Sequence, residues 1–421
     1  MRKPKRARPV AKEITMPNKS PFQAGGDLSA PGVALSSFLG CLPTLPRLLA
    51  LGEPTHGLDA FPAWRNRLFI RLVEEHGYRS VALESDIIAG LRVDAYVTRG
   101  QGELDEVMRT GFSHGFGSLR ANRELVAWMR EFNIGRGAAD QVRFYGFDAP
   151  LEFWAPSPRA SLLALHAFLT ERVGEVPVDA ATLERLCGDD ADWANPASVL
   201  DAAQSIGGSD EARILRRLAD DLMTLLHTEA PELASQVGFW EAQLHARTAQ
   251  GLLRYHALLA DPAPNRDRLE RASALRDLMM ADHLSAIVER EGERGPTLAF
   301  AHNAHLQRWP STMKMGELRV KWWSAGAHVS LRLGERYTFI AGDLGRAPGK
   351  GVGSAAPGTL QGVLMNPAHP ARLFRAEDLI AALPDPLEPR RDAPSQAGYF
   401  PLEARHLPLM DGLLFLSEAA D

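Results

Sequence analysis

Cysteine is almost absent from the sequence: Cys41 and Cys187 are the only two in 421 residues. Two thiols cannot form the network of disulfides that supports small secreted folds, and their spacing matches no metal-binding motif. A chain of this length can instead bury a large hydrophobic core. We therefore expect a cytoplasmic protein that is stabilised by its core rather than by cross-links.

Long apolar runs are also missing. No segment approaches the ~20 consecutive apolar residues of a membrane span, and the apolar stretch 38–51 is broken by Pro43, Pro46 and Arg47. That stretch also begins too late for a signal peptide, which occupies about the first 15–30 residues. A hydrophobic content of 45% and a charged content of 24% are typical of an ordinary globular protein, and we expect no membrane partner.

Beyond residue 20 the chain lacks an excess of positive charge. Residues 1–20 carry seven basic side chains against Glu13, a net of +6 that leaves −11 for the rest of a chain whose total is −5. An acidic body argues against a nucleic-acid partner, because phosphates require a basic surface. We expect the basic leader, residues 1–30, to be disordered, to be an interaction tail or to precede a true start at Met16. The expected partner is a small-molecule substrate, and the oligomeric state stays open.

The apolar pattern predicts an α/β fold with a mostly parallel central sheet flanked by helices. Four short apolar runs bounded by polar or turn residues are typical of buried parallel strands, at 47–51, 80–83, 142–147 and 297–301. Further candidate strands are 328–333, 337–341 and 412–416. Helical patterns lie at 60–76, with Asp59 as its cap and Gly77 as its end, and at 120–133. Strands that alternate with helices imply parallel pairing through right-handed crossovers.

The strand pattern stops between residues 156 and 293. Four amphipathic helices are predicted there, at 162–169, 212–226, 237–259 and 266–289. We therefore predict a core in two parts, 31–155 and 294–421, and a helical insertion, 156–293, that forms a lid over the C-terminal edge of the strands. The segment 347–367, rich in Gly, Pro and Ala, predicts an exposed loop.

Ionisable residues follow each of the first four predicted strands, at the edge where open parallel sheets bind ligands. In strand order they are Glu53 and His56, then Glu84, then Asp148, and then His302 and His305. A single glutamate or histidine at such a point is most often a cap or a surface residue. The coincidence of so many at one edge predicts a common cleft.

Arg65 adds an independent observation. It falls inside the apolar stripe of the helix that follows His56, and a buried arginine needs a partner because an unpaired buried charge costs several kcal/mol or more. Glu53 and Glu84 are the expected partners. The pair serves either to support the fold or to bind an oxyanion.

The residue types predict hydrolysis by activated water. Because histidine titrates near neutral pH, His56 can take a proton from water, and a glutamate on its other nitrogen would set the tautomer. A second histidine or Arg65 could stabilise the oxyanion or protonate the leaving alkoxide. This set suffices for direct attack of water on an ester.

Two other chemistries use residues of the same region. The Gly111–Gly115 segment matches the G-x-S-x-G nucleophile elbow around Ser113, but polar, helix-like residues precede it where an elbow requires a strand. We therefore reject a serine nucleophile. Alternatively, the three histidines and two glutamates could ligate zinc or another divalent ion, although no H-E-x-x-H motif is present. We expect no required cofactor, with a divalent metal as the alternative.

Several ordered motifs resemble the erythromycin esterase family. They are Leu51-Gly52-Glu53-Pro54-Thr55-His56-Gly57, Leu72-Val73-Glu74-Glu75-His76-Gly77-Tyr78, Val81-Ala82-Leu83-Glu84, Phe144-Tyr145-Gly146-Phe147-Asp148, Arg276-Asp277 and Ala301-His302-Asn303-Ala304-His305. The similarity covers roughly residues 45–150 and 270–345. The loop 111–117 departs from the family because it lacks an expected tryptophan.

The resemblance implies that water activated on a histidine cleaves a macrolactone ester in a deep cleft, without an obligatory metal. By position His56 matches the general base, and the surrounding charged site residues are Glu53, Glu84, Arg65, His302 and His305. We further predict that Asp148, His114 and Asn303 bind substrate. The alternatives are a metal-dependent hydrolase that uses the same cluster and a non-enzymatic haem-, metal- or ligand-binding protein of related fold.

Overall fold

A computed structural model describes residues 21–151, 155–394 and 397–419. In these residues the strands are β1 (Gly26–Asp27), β2 (Leu48–Glu53), β3 (Ser80–Asp86), β4 (Arg143–Asp148), β5 (Thr297–His302), β6 (Pro310–Met315), β7 (Leu318–Trp323), β8 (Tyr337–Leu344), β9 (Ala371–Arg375) and β10 (Gly412–Leu416). All but β6 and β7 belong to one central sheet, whereas β6 and β7 pair with each other as an antiparallel hairpin.

Helices precede, connect and follow these strands. Over the same described residues they are α1 (Pro31–Gly40), α2 (Ala60–His76), α3 (Gly90–Arg99), α4 (Leu104–Thr110), α5 (Arg120–Asn133), α6 (Arg159–Thr170), α7 (Ala180–Cys187), α8 (Asp190–Trp193), α9 (Asp210–Thr228), α10 (Ala230–Leu233), α11 (Phe239–Leu259), α12 (Asn265–Arg290), α13 (Asn303–Leu306), α14 (Ala325–Leu333), α15 (Leu360–Leu364) and α16 (Ala376–Ala382). None of them combines the length and the hydropathy that crossing a bilayer would require.

The central sheet has the strand order β1-β9-β10-β8-β2-β5-β3-β4. The six strands from β10 to β4 are parallel, and β9 joins β10 in antiparallel pairing. The predicted mostly parallel sheet flanked by helices is therefore confirmed. The order also makes β2, β5, β3 and β4 neighbours, and these are the four strands that the ionisable residues follow.

Both faces of the sheet are covered, as the continuous apolar strands predicted. Along β2, Leu49 and Leu51 pack in a core with α1, α2, α3 and α5, while Leu48 and Ala50 pack in a second core with α12, α14 and α16. Alternate side chains of a strand point to opposite faces, so a strand that is buried on both sides is apolar throughout. This double cover holds the carboxyl ends of the strands rigidly in place.

The residues between β4 and β5 fold into the helices α6 to α12, and α6, α7, α9 and α11 contribute to a separate apolar core. The four predicted helices of this insertion are confirmed with shifts of at most three residues at their ends. The short helices α7, α8 and α10 were not predicted. Its role as a lid stays a prediction.

Gly77 ends α2 in the left-handed conformation, with φ of 71°, as predicted. Asp59 occupies the N-cap position of this helix, as predicted, but its side chain accepts no backbone N–H of the first turn. Its Oδ1 accepts a hydrogen bond from the backbone N–H of Ala121 at 3.2 Å, and it thereby ties the start of α2 to α5.

Three predictions are wrong. Residues 328–333 form the end of α14, not a strand, because Ser324 caps a helix there by accepting the N–H of Ala327. Segment 347–367 is not an exposed loop: Val352 and Leu360 are buried, and α15 lies within it. Residues 21–30 are not disordered, since β1 lies there and pairs with β9, while residues 1–20 lie outside the described part of the chain.

Candidate active site

The carboxyl ends of β2, β3, β4 and β5 bring Glu53, Glu84, Asp148 and His302 to one edge of the sheet. Glu53 and His302 are direct partners in the pairing of β2 with β5. His56 and His305 lie three residues beyond their strand ends and reach the same carboxylates. The convergence expected from the sequence therefore occurs.

His56 lies between two carboxylates. Its Nδ1 is 2.7 Å from Glu53 Oε1, and its Nε2 is 3.6 Å from Glu84 Oε1. The His56 side chain is 38% exposed, whereas those of Glu53 and Glu84 are 4% and 2% exposed. Burial opposes protonation, but the charge of Glu84 and the hydrogen bond to Glu53 outweigh it and raise the pKa of His56 to about 10. His56 is thus the accessible member of a buried charged group.

Glu84 is the centre of this group. Its Oε2 accepts the backbone N–H of His302 at 2.8 Å, and its Oε1 is 3.2 Å from His305 Nε2 and 3.7 Å from Arg276 Nη2. Burial alone would favour the neutral acid, yet the positive charges of His305 and His56 hold the pKa of Glu84 well below its usual range. Glu84 therefore stays an anion that several cations share.

His305 forms a second histidine–carboxylate pair. Its Nδ1 is 2.8 Å from Asp277 Oδ1, and Asp277 Oδ2 accepts the backbone N–H of Ala325 at 3.0 Å. Burial disfavours the imidazolium, but the charges of Asp277 and Glu84 raise the pKa of His305 to about 10. His305 and His56 consequently approach the same oxygen of Glu84 as cations.

His302 lies in the site, but its ring nitrogens are both used by the backbone. Nδ1 accepts the N–H of Ala304 at 3.1 Å, so the proton is on Nε2, which donates to the Pro54 carbonyl at 3.1 Å. Burial and the charge of His56 lower the pKa of His302 to about 3. Its ring packs 5.2 Å from that of His56. We therefore reassign His302 from proton transfer to the positioning of His56.

Arg65 is buried on the apolar stripe of α2, as predicted, but its hydrogen-bond partner is Asn66 and not one of the two expected glutamates. Its Nε and Nη2 donate to Asn66 Oδ1 at 3.0 and 2.7 Å, and its guanidinium lies 4.9 Å from the Phe300 ring centre. No ion pair between described residues joins it to either glutamate, and Glu53 Oε2 has no hydrogen-bond partner. Burial outweighs the attraction of Glu53 and lowers the pKa of Arg65 to about 9. Arg65 thus acts on Glu53 at a distance.

Arg276 on α12 belongs to a motif that the sequence analysis singled out, but the sequence analysis did not assign it to the site. Its Nε and Nη2 grip Asp148 at 3.1 and 2.5 Å, and Nη2 is 3.3 Å from His114 Nε2. Asp148, predicted to bind substrate, instead holds this guanidinium. The sequence does contain a signal for this region of α12. Asp277, next to Arg276, lies in the apolar stripe of the helix with Met280 and Leu284, and a charged residue in such a stripe needs a partner, as Arg65 does in α2.

His114, also predicted to bind substrate, borders the site in a strained backbone conformation. Its φ is 57°, a left-handed value that costs a residue other than glycine about 1–3 kcal/mol. Its Nδ1 is 2.8 Å from Ser113 Oγ, and its ring stacks on Phe116, which in turn contacts the ring of His56. The predicted contact of His114 with substrate stays a prediction.

Ser113 does not lie on a nucleophile elbow, which confirms the rejection of that motif. The helix α4 precedes it, and a 3-10 turn, Phe116–Ser118, follows it. Its Oγ accepts the backbone N–H of Asp86 at 2.9 Å, and its own N–H donates to Ser85 Oγ at 2.9 Å. Ser113 therefore anchors the loop 111–117 to the end of β3.

Asn303, predicted to bind substrate, is a clamp between strands. Its Nδ2 donates to the Gly342 carbonyl at 2.8 Å, and its Oδ1 accepts the Gly342 N–H at 2.9 Å. Gly52 must be glycine because a Cβ there would lie 2.0 Å from Asn303 Oδ1. The pairing of β2 with β8 ends at Leu51 and Ile340, and beyond this point the side-chain amide of Asn303 supplies the hydrogen bonds to the β8 backbone.

We expect Asn303→Ala to lower the free energy of unfolding by about 3 kcal/mol, because it leaves two buried backbone groups of Gly342 without partners. Chemical denaturation would measure this loss. Gln101→Ala, at an exposed residue, is the matched control and should stay within about 0.5 kcal/mol of wild type. Equal stability of the two variants would contradict the clamp.

A metal site would use a different set from the five residues considered in the sequence. Among the described residues, ligand atoms of Glu84, His114 and Asp148 lie within 4.8 Å of one another. Arg276 Nη2, however, lies 2.5–3.7 Å from all three. A guanidinium therefore supplies the positive charge at this point, and the arrangement suits Arg276 better than an added cation.

Comparisons of sequence place these motifs in a known family. The model of the family described as erythromycin esterase matches residues 73–410, which include Glu84, Arg276 and His305 but not Glu53 or His56. Erythromycin esterase type II from Escherichia coli is 23% identical over 269 residues, 63% of this chain and 61% of that relative. The chain therefore matches about three-fifths of the length of this curated relative.

Solved structures share the fold along almost the whole chain. A Bacillus cereus protein superposes with a TM-score of 0.65 at 17% identity, over 97% of this chain and 94% of that one. A mutant of the erythromycin esterase EreC in its open conformation gives 0.63 at 18% identity, over 96% and 97%, and a succinoglycan biosynthesis protein gives 0.62 at 15%, over 95% and 96%. Since the family model spans most of the residues and the ordered site motifs agree with it, the chain belongs to the erythromycin esterase family.

Proposed function

We propose that the protein is a hydrolase that cleaves a carboxylic ester by attack of a water molecule that His56 deprotonates. The observation that carries this proposal is the group of Glu53, His56 and Glu84, in which one accessible imidazole is held between two buried carboxylates. The family and the name of its Escherichia coli relative support ester hydrolysis. By the same analogy the substrate class is a macrolactone or a similar bulky ester.

In the proposed reaction Glu53 accepts the Nδ1–H of His56, which directs Nε2 to take the proton of water. The water oxygen bonds to the ester carbonyl carbon, and the negative charge moves to the carbonyl oxygen. Arg276 stabilises that oxyanion, since its side chain is 21% exposed and its guanidinium is fixed by Asp148. The carbon–alkoxide bond then breaks, and His56 returns its proton to the alkoxide. The products are an acid and an alcohol, which remain joined as one ring-opened hydroxy acid when the ester is a lactone.

Substrate binding itself prepares the base. In the free site the two carboxylates keep His56 protonated near neutral pH. Burial is the strongest single influence on this pKa and acts to lower it, so a substrate that covers the exposed imidazole drives His56 toward its neutral form. The proton is released as the site closes, and the pKa of His56 in the complex falls below that in the free enzyme.

Mass spectrometry of macrolides and simple aryl esters incubated with the protein tests the proposal. At least one compound should be hydrolysed, either to a separate acid and alcohol or, for a macrolide, to a ring-opened hydroxy acid with the mass of one added water. One oxygen of the acid should come from labelled water, and the yield should survive prior treatment with a chelator. A panel in which no ester is cleaved, before or after addition of zinc or manganese, would overturn the hydrolase assignment. Cleavage only after addition of metal would favour the metal-dependent alternative.

Ser113→Ala is expected to keep at least about a third of the wild-type kcat/KM, because Ser113 ties a loop to β3 and is not the nucleophile. Ser118→Ala in the same loop is the matched control. Intact-protein mass spectrometry of the wild type during turnover should find no acyl adduct. An adduct on Ser113, together with a loss of about 10³-fold in the variant, would instead establish a serine hydrolase.

A further inference from the structure

A tight turn presents Lys350 next to Gly57, the residue that follows His56. Ala347 and Val352 pair across this turn by two backbone hydrogen bonds, and both are fully buried. The turn places the Lys350 ammonium over Gly57, so close that a Cβ at Gly57 would lie 2.8 Å from Nζ. Since Gly57 directly follows His56, a lysine from the segment predicted to be an exposed loop lies at the border of the site.

The ammonium of Lys350 has no partner among the described residues. Within residues 21–151, 155–394 and 397–419, no carboxylate lies within 4.0 Å of it and no acceptor is hydrogen bonded to it, although Lys350 is half-buried. An ammonium carries three donors, and the Nζ atom of Lys350 is open to solvent. A cation that a turn holds in place, that water reaches and that no described residue binds is available to a ligand.

The ion pairs of the site form without Lys350. His56, His305 and Arg276 contact the carboxylates of the site, which are Glu53, Glu84, Asp148 and Asp277. Lys350 contacts none of these four carboxylates, so no ion pair between described residues uses its charge. The complement to this unpaired ammonium is a negative charge on the ligand.

We propose that Lys350 binds an anionic group, such as a carboxylate, on the substrate, and that the enzyme therefore prefers esters that carry a negative charge near the scissile bond. The inference rests on the proposed ester hydrolysis and narrows its substrate class. Lys350 acts here in specificity, because a substrate anion on Nζ fixes the ester carbonyl beside His56. The preference is electrostatic and weakens as ionic strength rises.

Matched esters test this preference: 4-nitrophenyl hydrogen adipate, which is an anion, and its neutral methyl diester. The wild type should favour the anion about tenfold in kcat/KM, mainly through KM, and the ratio should fall in 0.5 M salt. Lys350→Met should bring the ratio to about one, and Lys350→Glu should invert it. Lys321→Met, at an exposed lysine of β7, is the control and should keep the wild-type ratio.

A wild-type ratio near one, or an unchanged ratio in Lys350→Met, would overturn the assignment of Lys350. If neither ester is cleaved, the proposed hydrolysis fails for these esters, and equilibrium binding then decides on Lys350. Free adipate should bind the wild type, as measured by calorimetry, and should bind Lys350→Met at least about fivefold more weakly. Equal affinity for both proteins would overturn the anion site independently of any turnover.

Discussion

Replacing His56 with asparagine is expected to lower kcat/KM for ester hydrolysis by about 10³- to 10⁴-fold. The variant loses the acceptor of the water proton and the donor to the leaving alkoxide, and a positioned acid–base group contributes about 10²–10⁴-fold in each such role. No other described histidine combines this exposure with two carboxylate neighbours, since His305 is buried and both nitrogens of His302 are engaged. Initial rates on the ester that the wild type cleaves would measure the loss.

The control for this variant is His76→Asn at the end of α2, where the imidazole contacts Ser36 and lies outside the site. It should keep wild-type kinetics. In His56→Gly, added imidazole should restore part of the rate in proportion to its concentration, because it can enter the space left by the accessible side chain. Two results together would show that another residue is the general base: His56→Asn keeps more than about a tenth of wild-type activity, and His56→Gly does not respond to imidazole.

The convergence of the site could be predicted from the sequence because it depends only on strand ends. Glu53, Glu84 and His302 directly end or follow apolar runs, and parallel strands deliver their carboxyl ends to one edge whatever the side chains do. The neighbours of each side chain could not be predicted in the same way. The side chains of Asn303 and His302 donate hydrogen bonds to the backbone carbonyls of Gly342 and Pro54, respectively. These partners are distant in sequence, so only the tertiary structure determines them.

The residues that the sequence did not assign come from far along the chain. Arg276 and Lys350 lie on α12 and in the turn after β8, where no strand end marks them, and only the tertiary fold brings them to Asp148 and Gly57. The fold errors have a related cause. Short apolar runs such as 328–333 suit a helix or a strand equally well, and the strand β9, which lies between β1 and β10, carries arginines that hide its pattern.

Replacing Glu84 with glutamine is expected to shift the pH dependence of catalysis as well as to reduce its rate. The carboxylate of Glu84 raises the pKa of His56, so its neutralisation lowers that pKa from about 10 toward the ordinary histidine value of about 6.5. A reaction that needs neutral His56 gains rate as pH rises through this pKa. In the wild type, kcat/KM should therefore rise about tenfold per pH unit through the neutral range and level off near pH 10.

In Glu84→Gln the same rise should occur at least about one pH unit lower, because the base becomes free at lower pH. The plateau itself should fall by about 10²-fold, since His305 and Arg276 lose the anion that they share. Glutamine keeps an oxygen that can accept the His302 N–H, so the strand end stays in place. Rates from pH 5.5 to 10.5 would measure both effects, and Glu124→Gln, at a surface ion pair of α5, should leave the profile unchanged.

The wild-type profile also discriminates between the two roles of the His56 proton. If His56 acts first as a base, both kcat and kcat/KM rise with pH. The rise in kcat, which reports the enzyme–substrate complex, then lies at lower pH than the rise in kcat/KM, because the substrate buries His56 and lowers its pKa. If the reaction instead uses the imidazolium as its first acid, both parameters fall as pH rises, and Glu84→Gln moves that fall to lower pH. A rising limb that stays in place in Glu84→Gln would mean that His56 is not the group that titrates, and the proposed mechanism would then fail at its first step.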